Sequence, residues 1–331
     1  MALIEVDGLT RSFRTWKKEP GLRGALRGLL ARQYEESFAV RDISFRIEEG
    51  EFVGFLGPNG AGKTTTLKML AGLLHPTRGS ARVLGFTPWE RKDGYRRQFA
   101  LLLGQKNQLW WDLPARDSLE LNAKIYGITP SVFTQTVGDL AALLQIGDKL
   151  GTPVRELSLG ERMKCELIAA LLHQPRVLFL DEPTIGLDVV SARVVRDFLR
   201  QHNLLRRTTI LLTSHYMADI QELCERVIII DRGIISFDGK LAAILDRFAD
   251  FKIVTLHLDP VAVRETTDPT AYGEVLVHDA TTLKLKVKRE RVIPVCKGLL
   301  DGFPVLDFAV EEVPIEEVIR QVFQHSQGPP S

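Results

Sequence analysis

The chain has 331 residues, of which 45% are hydrophobic and 26% charged, and its formal net charge is +1. This length and composition suit one large or two ordinary domains with hydrophobic cores. Near-neutrality argues against a dedicated nucleic-acid-binding protein, and no apolar run approaches the roughly 18–20 residues that span a bilayer. Acidic residues in the opening MALIEVDGLTRSF stand where a secretory signal has its apolar core, so we expect a cytoplasmic protein.

The N-terminal region combines predicted strands with a segment of different character. The stretches LIEVDGLTRSF and FAVRDISFRIEEGEFVGFL alternate β-branched or aromatic residues with polar ones, which is typical of strands. Between them, residues 15–37 read as a basic amphipathic helix. Its apolar face would carry Leu22, Leu26, Leu29, Leu30 and Tyr34. We predict an insertion that either packs on its own domain or contacts lipid or a membrane protein.

The most specific motif is GPNGAGKT, which follows the apolar strand FVGFL and opens a helix. It matches the phosphate-binding pattern G-x-x-x-x-G-K-[ST], whose glycines let backbone N–H groups turn toward phosphates at a helix N-terminus. Lys63 is predicted to contact the β- and γ-phosphates, and the Thr64 hydroxyl to bind Mg²⁺. The predicted nucleotide ligands are Gly57, Pro58, Asn59, Gly60, Ala61, Gly62, Lys63, Thr64 and Thr65.

A second site is predicted at VLFLDE, where an apolar strand delivers Asp181 to its carboxyl end. Ligands of open α/β sheets bind at that edge. Asp181 is suited to hold Mg²⁺ through its water shell. Glu182, expected to point to the opposite side, can orient and deprotonate a water molecule. Asp181 lies 118 residues after Lys63 (181 − 63), so the fold must bring the two sites together.

The stretch SLGE, shortly before that strand, predicts a helix start. Ser158 can cap the backbone, and Glu161, three residues later, can reach back to it, which is the capping-box pattern.

The pattern of elements indicates two units. From residue 55 to residue 231, strands and helices alternate, as in an α/β fold with a largely parallel sheet. After Lys240 come short strands and two predicted helices, 291–300 and 315–324. We predict an accessory α+β domain over residues 241–326. The tail 327–331 is too polar and Pro-rich to order itself.

With these two sites and LSLGE between them, the chain resembles the ATP-binding cassette (ABC) ATPases over residues 2–240. The resemblance implies an α/β P-loop NTPase cassette over residues 1–240. Its parts are a RecA-like parallel sheet core, an antiparallel β subdomain and a helical subdomain of about 105–172 that carries the signature motif. A small C-terminal α+β domain follows the cassette.

The resemblance also implies roles for individual residues. Phe13 would stack on the adenine ring. Gln105 would sense Mg²⁺ and the γ-phosphate and link the site to a membrane partner, with Gln108 as a competing candidate. Asp188, in GLD, would lie in the loop that crosses to the other subunit. His215 would contact the γ-phosphate.

In this family two cassettes meet head to tail, and the signature motif of one closes on the ATP held by the other. Ser158, Gly160 and Glu161 would therefore contact the partner's nucleotide. The sequence departs from the usual motif at two positions, since Leu159 stands where Gly is usual and Glu161 where Gln is usual. The added negative charge of Glu161 puts nucleotide affinity and cross-interface contacts in question.

The implied cofactors are ATP and Mg²⁺, and the implied partners are a second ATPase subunit in a homodimer and one or two integral-membrane permeases, with no nucleic acid. The chain would lie peripherally on the inner face of the membrane. DEPTIGLD and the C-terminal extension favour ABC-2 exporters of the daunorubicin-resistance type. An importer ATPase with a regulatory C-terminal domain and a soluble non-transport ABC ATPase remain alternatives. Trp110 and Trp111 form either an apolar surface for a permease helix or part of the helical subdomain's packing.

Overall fold

The computed structural model describes residues 2–16, 34–104, 108–214, 216–248, 250–260, 268–313 and 317–319. The chain divides into two compact units, Met1–Gly239 and Lys240–Ser331.

The first unit is built around a six-stranded sheet with the strand order β5-β6-β7-β3-β8-β9. Its strands are β3 (Phe52–Leu56), β5 (Phe99–Leu103), β6 (Val177–Asp181), β7 (Thr209–Thr213), β8 (Arg226–Asp231) and β9 (Ile234–Lys240). The pairs β5–β6, β6–β7, β3–β7 and β3–β8 are parallel. The carboxyl ends of β3, β6 and β7 therefore share one edge, and this brings the two predicted sites together.

A second, antiparallel sheet of three strands has the order β2-β1-β4. Its strands are β1 (Ala2–Trp16), β2 (Tyr34–Glu48) and β4 (Arg78–Val83). The β1–β2 ladder runs out to the pair Trp16–Tyr34, so residues 15–16 and 34–37 belong to strands. The prediction that Tyr34 lies on a helix face is therefore wrong, because cross-strand pairing overrides the local helical periodicity. Residues 17–33 of the predicted insertion lie outside the described residues.

Helices cover the six-stranded sheet, and the two sheets share a core. The helices of this unit are α1 (Lys63–Leu70), α2 (Asp93–Arg96), α3 (Ala115–Tyr126), α4 (Pro130–Leu143), α5 (Leu159–Leu171), α6 (Val189–Arg206) and α7 (Met217–Leu223). Fully buried side chains from both sheets and from α1, among them Ile4, Ile43, Phe55, Leu67 and Phe179, form one apolar cluster. Burial of such side chains contributes about 1.5–3 kcal/mol each, which holds α1 and the loop before it against the sheet.

The second unit contains a four-stranded antiparallel sheet with the order β11-β12-β10-β13. Its elements are α8 (Leu241–Phe248), β10 (Phe251–Leu258), β11 (Glu274–His278), β12 (Thr282–Lys288), α9 (Val292–Gly302) and β13 (Val305–Glu312). Val254, Leu256 and Leu285 of the sheet pack with Leu299 and Phe303 in a separate core.

Of the predicted helix 315–324, the structure describes residues 317–319, which are helical, while the tail 327–331 lies outside the described residues. Among the helices that the structure describes, none has the length and apolar character needed to cross a membrane.

Candidate nucleotide-binding site

The loop between β3 and α1 is shaped by glycines that no other residue can replace. Gly62 lies at the N-cap of α1 with φ +111°, and a β-carbon there would lie 2.4 Å from the carbonyl oxygen of Ala39. A β-carbon on Gly57 would lie 2.3 Å from the carbonyl oxygen of Ile230. Both approaches are to backbone atoms, which cannot move aside. The loop therefore has to run against β2 and β8, with the N-terminus of α1 at its end.

This loop forms one wall of a cleft of about 540 Å³. The other walls come from the carboxyl ends of β5 and β6. The residues that line the cleft are Asn59, Gly60, Ala61, Gly62, Lys63, Thr64, Thr65, Lys68, Leu103, Gly104, Asp181, Glu182 and Ile185. The cleft thus combines a helix N-terminus, two lysines and two carboxylates, a composition suited to an anion that carries a divalent cation.

Lys63 is the most buried charged group of the cleft, with a side chain that is only 6% exposed. Its ammonium group donates hydrogen bonds to the carbonyl oxygens of Gly57 (2.7 Å) and Pro58 (3.2 Å), and it lies 3.9 Å from Glu182 Oε1. Burial lowers the pKa of Lys63, while the charges of Glu182 and Asp181 act in the opposite direction. The two carbonyls hold the ammonium group beside the loop and aim it at the cleft.

Thr64 and Asp181 are joined directly although they lie far apart in the sequence. The Thr64 hydroxyl donates to Asp181 Oδ2 at 2.8 Å and approaches Oδ1 at 3.1 Å. The Thr213 hydroxyl, at the end of β7, donates to Asp181 Oδ1 at 2.6 Å. A carboxylate and two hydroxyl oxygens therefore converge at one point, which is the kind of oxygen donor set that Mg²⁺ prefers.

Glu182 follows β6 and takes a left-handed backbone conformation with φ +53°. Its backbone N–H donates to the carbonyl oxygen of Thr213 at 2.9 Å. The prediction that Glu182 points to the side opposite Asp181 is wrong, because both residues line the cleft and Glu182 Oε1 lies 3.9 Å from the Lys63 ammonium group. The alternation of a strand no longer applies, since β6 ends at Asp181 and the positive φ redirects the next side chain.

The capping box predicted at the start of α5 is confirmed. Ser158 Oγ accepts a hydrogen bond from the Glu161 N–H at 3.2 Å, and Glu161 Oε2 accepts one from the Ser158 N–H at 2.8 Å. Lys149 Nζ lies 3.6 Å from Glu161 Oε1. The hydrogen bonds from Ser158, with a smaller contribution from Lys149, hold the pKa of Glu161 below its usual value. Glu161 is therefore an ionised cap whose charge is directed at its own helix start.

Gly160, one residue into the helix, meets the start of α6. A β-carbon on Gly160 would lie 2.4 Å from Ser191 Oγ and 3.6 Å from Asp188 Oδ2. Asp188 is the N-cap of α6 and accepts a hydrogen bond from the Ser191 N–H at 2.9 Å. The two helix starts are therefore in close contact within one chain, which requires glycine at residue 160.

Comparison with known proteins gives matches over both units. Residues 40–185 match the ABC transporter family, and residues 250–311 match the C-terminal domain of EvrA-like ABC transporters. The ABC transporter ATP-binding protein NatA of Bacillus subtilis (strain 168) is 37% identical over 210 residues, which cover 63% of this chain and 84% of NatA. The chain belongs to the ABC transporter ATP-binding proteins.

Further relatives agree with this assignment. The Nod factor export ATP-binding protein I of Burkholderia pseudomallei (strain 1710b) is 35% identical over 241 residues, or 72% of this chain and 79% of that protein. A solved ATP-binding subunit of an ABC transporter has a TM-score of 0.60 and 26% identity, covering 74% of this chain and 93% of that one. The chain is thus an ABC ATPase, which hydrolyses ATP for transport.

Several residues predicted for this ABC ATPase do not line the cleft. Phe13 lies on β1 and is 39% exposed, with the Arg11 guanidinium carbon 4.6 Å from the centroid of its ring. The predicted signature and crossing-loop residues lie at the starts of α5 and α6 and are Ser158, Gly160, Glu161 and Asp188.

Two other predicted residues, Gln105 and His215, are outside the described residues. The competing candidate Gln108 donates its side-chain amide to the carbonyl oxygen of Leu101 at 2.7 Å.

The structure adds site residues that the sequence reasoning missed. Lys68, Leu103, Gly104 and Ile185 line the cleft, and Thr213 binds Asp181. Thr213 had a readable signal, because it ends the apolar strand TILLT and parallel pairing sets it beside Asp181. Gly104 had none, since its position depends on the approach of the backbone at Glu182, whose carbonyl oxygen would lie 2.6 Å from a β-carbon.

Proposed function

We propose that this ABC ATPase is the ATP-hydrolysing subunit of an ABC-2-type exporter and that it binds Mg-ATP at the head-to-tail interface of a homodimer. One observation carries the proposal: Lys63, Thr64, Asp181 and Glu182 line a single cleft, while the signature residues lie outside its walls. The cleft holds a cationic group, a metal-binding oxygen set and a carboxylate base. The signature motif is then left for the nucleotide of a second subunit.

Magnesium would be held by Thr64 and Asp181, with the nucleotide phosphates completing its coordination. When bound, the ion would neutralise part of the negative charge of the phosphates. The Thr64 hydroxyl already points at the Asp181 carboxylate, so the donor oxygens lie together before any ligand enters. Gln105 is the third candidate ligand, a role taken from the family resemblance alone.

The remaining residues of the cleft bind, orient and accept a proton. Lys63 contacts the β- and γ-phosphates, and residues 59–65 of the loop, which line the cleft, offer their backbone N–H groups to them. Glu182, within 3.9 Å of the Lys63 ammonium group, accepts a proton from the attacking water. His215 adds a contact to the γ-phosphate, and Phe13 stacks on adenine.

The signature motif can serve the partner's nucleotide without losing its cap. The Ser158 hydroxyl accepts the cap bond from the Glu161 N–H and also hydrogen-bonds to the Glu161 carboxylate. Its O–H proton would turn from that carboxylate to the partner's γ-phosphate, while the cap bond from Glu161 N–H stays in place. The Glu161 carboxylate accepts a hydrogen bond from the Ser158 N–H and lies beside the Lys149 ammonium group. These two groups partly offset its negative charge. Asp188 belongs to the loop that crosses to the other subunit.

If Ser158 acts in trans, Ser158→Ala should lower both stability and activity. We expect a loss of about 1 kcal/mol in the free energy of unfolding, from the missing cap. ATP turnover should fall about tenfold or more, from the missing donor at the γ-phosphate. Denaturant unfolding and steady-state hydrolysis measure the two effects.

Asp268→Ala is the matched control, because Asp268 caps a short helix of the second unit by accepting the Thr270 N–H at 2.9 Å. It should lose stability while turnover is retained. Full turnover in Ser158→Ala would remove the trans contact from the account.

The export assignment rests on the relatives and on an exposed apolar surface. NatA is a transporter ATP-binding protein, and the Nod factor relative is described as an export protein. Trp110 and Trp111, just before α3, are 45% and 46% exposed. Large aromatic side chains left in solvent mark a binding surface, here for one or two permease subunits. The chain would then work on the cytoplasmic face of the membrane, with no nucleic-acid partner.

Replacing both tryptophans should weaken permease binding without changing ATP binding. Trp110→Ala with Trp111→Ala should weaken co-purification with co-expressed permease by roughly tenfold or more, since such anchors dominate binding. ATP binding by the isolated chain should remain. Leu204→Ala with Leu205→Ala is the control, because these residues are 72% and 70% exposed on α6. Unchanged permease binding in the tryptophan variant would place the docking surface elsewhere.

A further inference from the structure

Glu166 of α5 is a buried carboxylate that the mechanism above does not use. Its side chain is 3% exposed. It lies two turns after Ser158 and binds a loop 58 residues away in sequence. Glu166 Oε1 accepts the Gln108 N–H at 2.9 Å and the Leu109 N–H at 3.3 Å, and Oε2 lies 3.1 Å from Gln108 N.

These hydrogen bonds explain how the charge is tolerated. Burial raises the pKa of Glu166, while the N–H groups of Gln108 and Leu109 and the charge of Arg162 act to lower it. Burying a carboxylate without such donors would cost several kcal/mol of folding free energy. Separating Glu166 from the N–H groups of Gln108 and Leu109 is therefore unfavourable. The position of the loop backbone at residues 108–109 is therefore set by a side chain of the signature helix.

The residues that follow are fastened to the same region. The Trp111 carbonyl oxygen accepts the Arg155 N–H at 3.0 Å, and Asp112 Oδ1 lies 2.9 Å from Arg155 Nη1. The guanidinium carbon of Arg162, one turn before Glu166 on α5, lies 5.3 Å from the Trp111 ring centroid. Residues 108–112, here called the tryptophan segment, are thus bound to the signature helix through Glu166 and Arg162 and to Arg155, which lies just before that helix.

The other end of this loop belongs to the cleft. Gly104 lines the cleft and donates its N–H to the Asp181 carbonyl oxygen at 2.9 Å. Three residues of sequence join Gly104 to Gln108. The tryptophan segment is therefore connected to the cleft of its own chain by the loop. It is connected to the signature motif, which serves the partner's cleft, by Glu166.

We propose that Glu166 is a positioning residue that locks the tryptophan segment to the signature helix, so that the permease-facing surface and Ser158 move as one body when Mg-ATP binds. The proposal rests on the proposed function. Without the Glu166 carboxylate, binding of Mg-ATP in the cleft no longer changes the surroundings of Trp110 and Trp111, although the cleft residues themselves are unchanged.

The test uses the full chain with Glu166→Met, which keeps a similar length and volume but has no oxygen to accept the backbone N–H groups of Gln108 and Leu109. Glu120→Met is the matched control, since Glu120 is an exposed carboxylate on α3 paired with Arg116 at 3.3 Å. Trp16→Phe and Trp89→Phe in every protein leave Trp110 and Trp111 as the emitting residues, because the chain has 4 tryptophans.

Two readouts are expected to move together. Amide hydrogen exchange at Gln108 and Leu109 should become roughly tenfold or more faster in Glu166→Met and stay slow in the parent and in Glu120→Met. The change in tryptophan emission on adding Mg-ATP should fall by more than half in Glu166→Met only, with ATP binding still measurable by titration.

The proposal is overturned by fast exchange at both amides in the parent chain, by an unchanged ATP response in Glu166→Met, or by a parent whose tryptophans give no response. The two measurements on the parent chain test the proposal even if the Glu166 variant does not fold. Failure of the proposed function is distinguishable, because it appears as a parent chain that does not bind or hydrolyse Mg-ATP.

Discussion

Glu182→Gln is expected to bind Mg-ATP, to stop hydrolysing it, and to accumulate as an ATP-loaded dimer. Glutamine keeps the length of the side chain but cannot accept a proton from water. A positioned base contributes about 10²–10⁴ in rate, so turnover should fall by that factor. ATP affinity should be retained, since Lys63, Thr64 and Asp181 are unchanged.

The measurement combines steady-state hydrolysis with sedimentation in the presence and absence of Mg-ATP. Glu225→Gln, an exposed carboxylate between α7 and β8, is the control and should behave as the parent. Normal turnover in Glu182→Gln would assign the base elsewhere. A monomer that holds ATP without hydrolysing it would keep the base but contradict the dimer.

Lys63→Ala is expected to weaken ATP binding strongly. The substitution removes the ammonium group that lies 3.9 Å from Glu182 and leaves Asp181 and Glu182 uncompensated, so an anion now meets net negative charge. Hydrogen bonds to a charged group contribute about 1.5–3 kcal/mol, which corresponds to a loss of roughly 10–100-fold in ATP affinity. Titration with a fluorescent ATP analogue measures it.

Lys68→Ala provides the comparison within the same cleft. Lys68 also lines the cleft, five residues later on α1, and is not bound to the loop carbonyls that hold Lys63. Its removal tests whether any loss of positive charge gives the same result. We expect a few-fold change in affinity at most. Equal losses of ATP affinity in the two variants would show that Lys63 contributes only its positive charge and not a specific contact with the phosphates.

Much of the site could be predicted from the sequence because its geometry follows from short local patterns. The motif ending in Lys63 and Thr64 fixes a strand, a glycine turn and a helix start in one stretch of chain. Parallel sheets bring carboxyl ends to one edge, so the link between Thr64 and Asp181 follows once VLFL is read as a strand. The Ser158 cap was readable for the same reason, since both partners lie within four residues.

The features that could not be predicted depend on contacts between distant segments or on a single backbone angle. Strand alternation gave the wrong side for Glu182, because a φ of +53° just past the strand redirects its side chain. Helical periodicity failed at Tyr34, because pairing with Trp16 decides its conformation. Glu166 carries no motif, and its role appears only once the loop at Gln108 is seen against α5.

We propose that each ATP site is completed by the signature motif of a second subunit, and mixing two inactive variants distinguishes this arrangement from a site built within one chain. In a dimer of one Glu182→Gln and one Ser158→Arg subunit, one site combines both defects and the other has neither. Nucleotide-free variants would be mixed in equal amounts before Mg-ATP is added. We expect the mixture to hydrolyse ATP well above the rate of either variant alone. Activity no higher than the average of the two variants would show that each site is built within one chain.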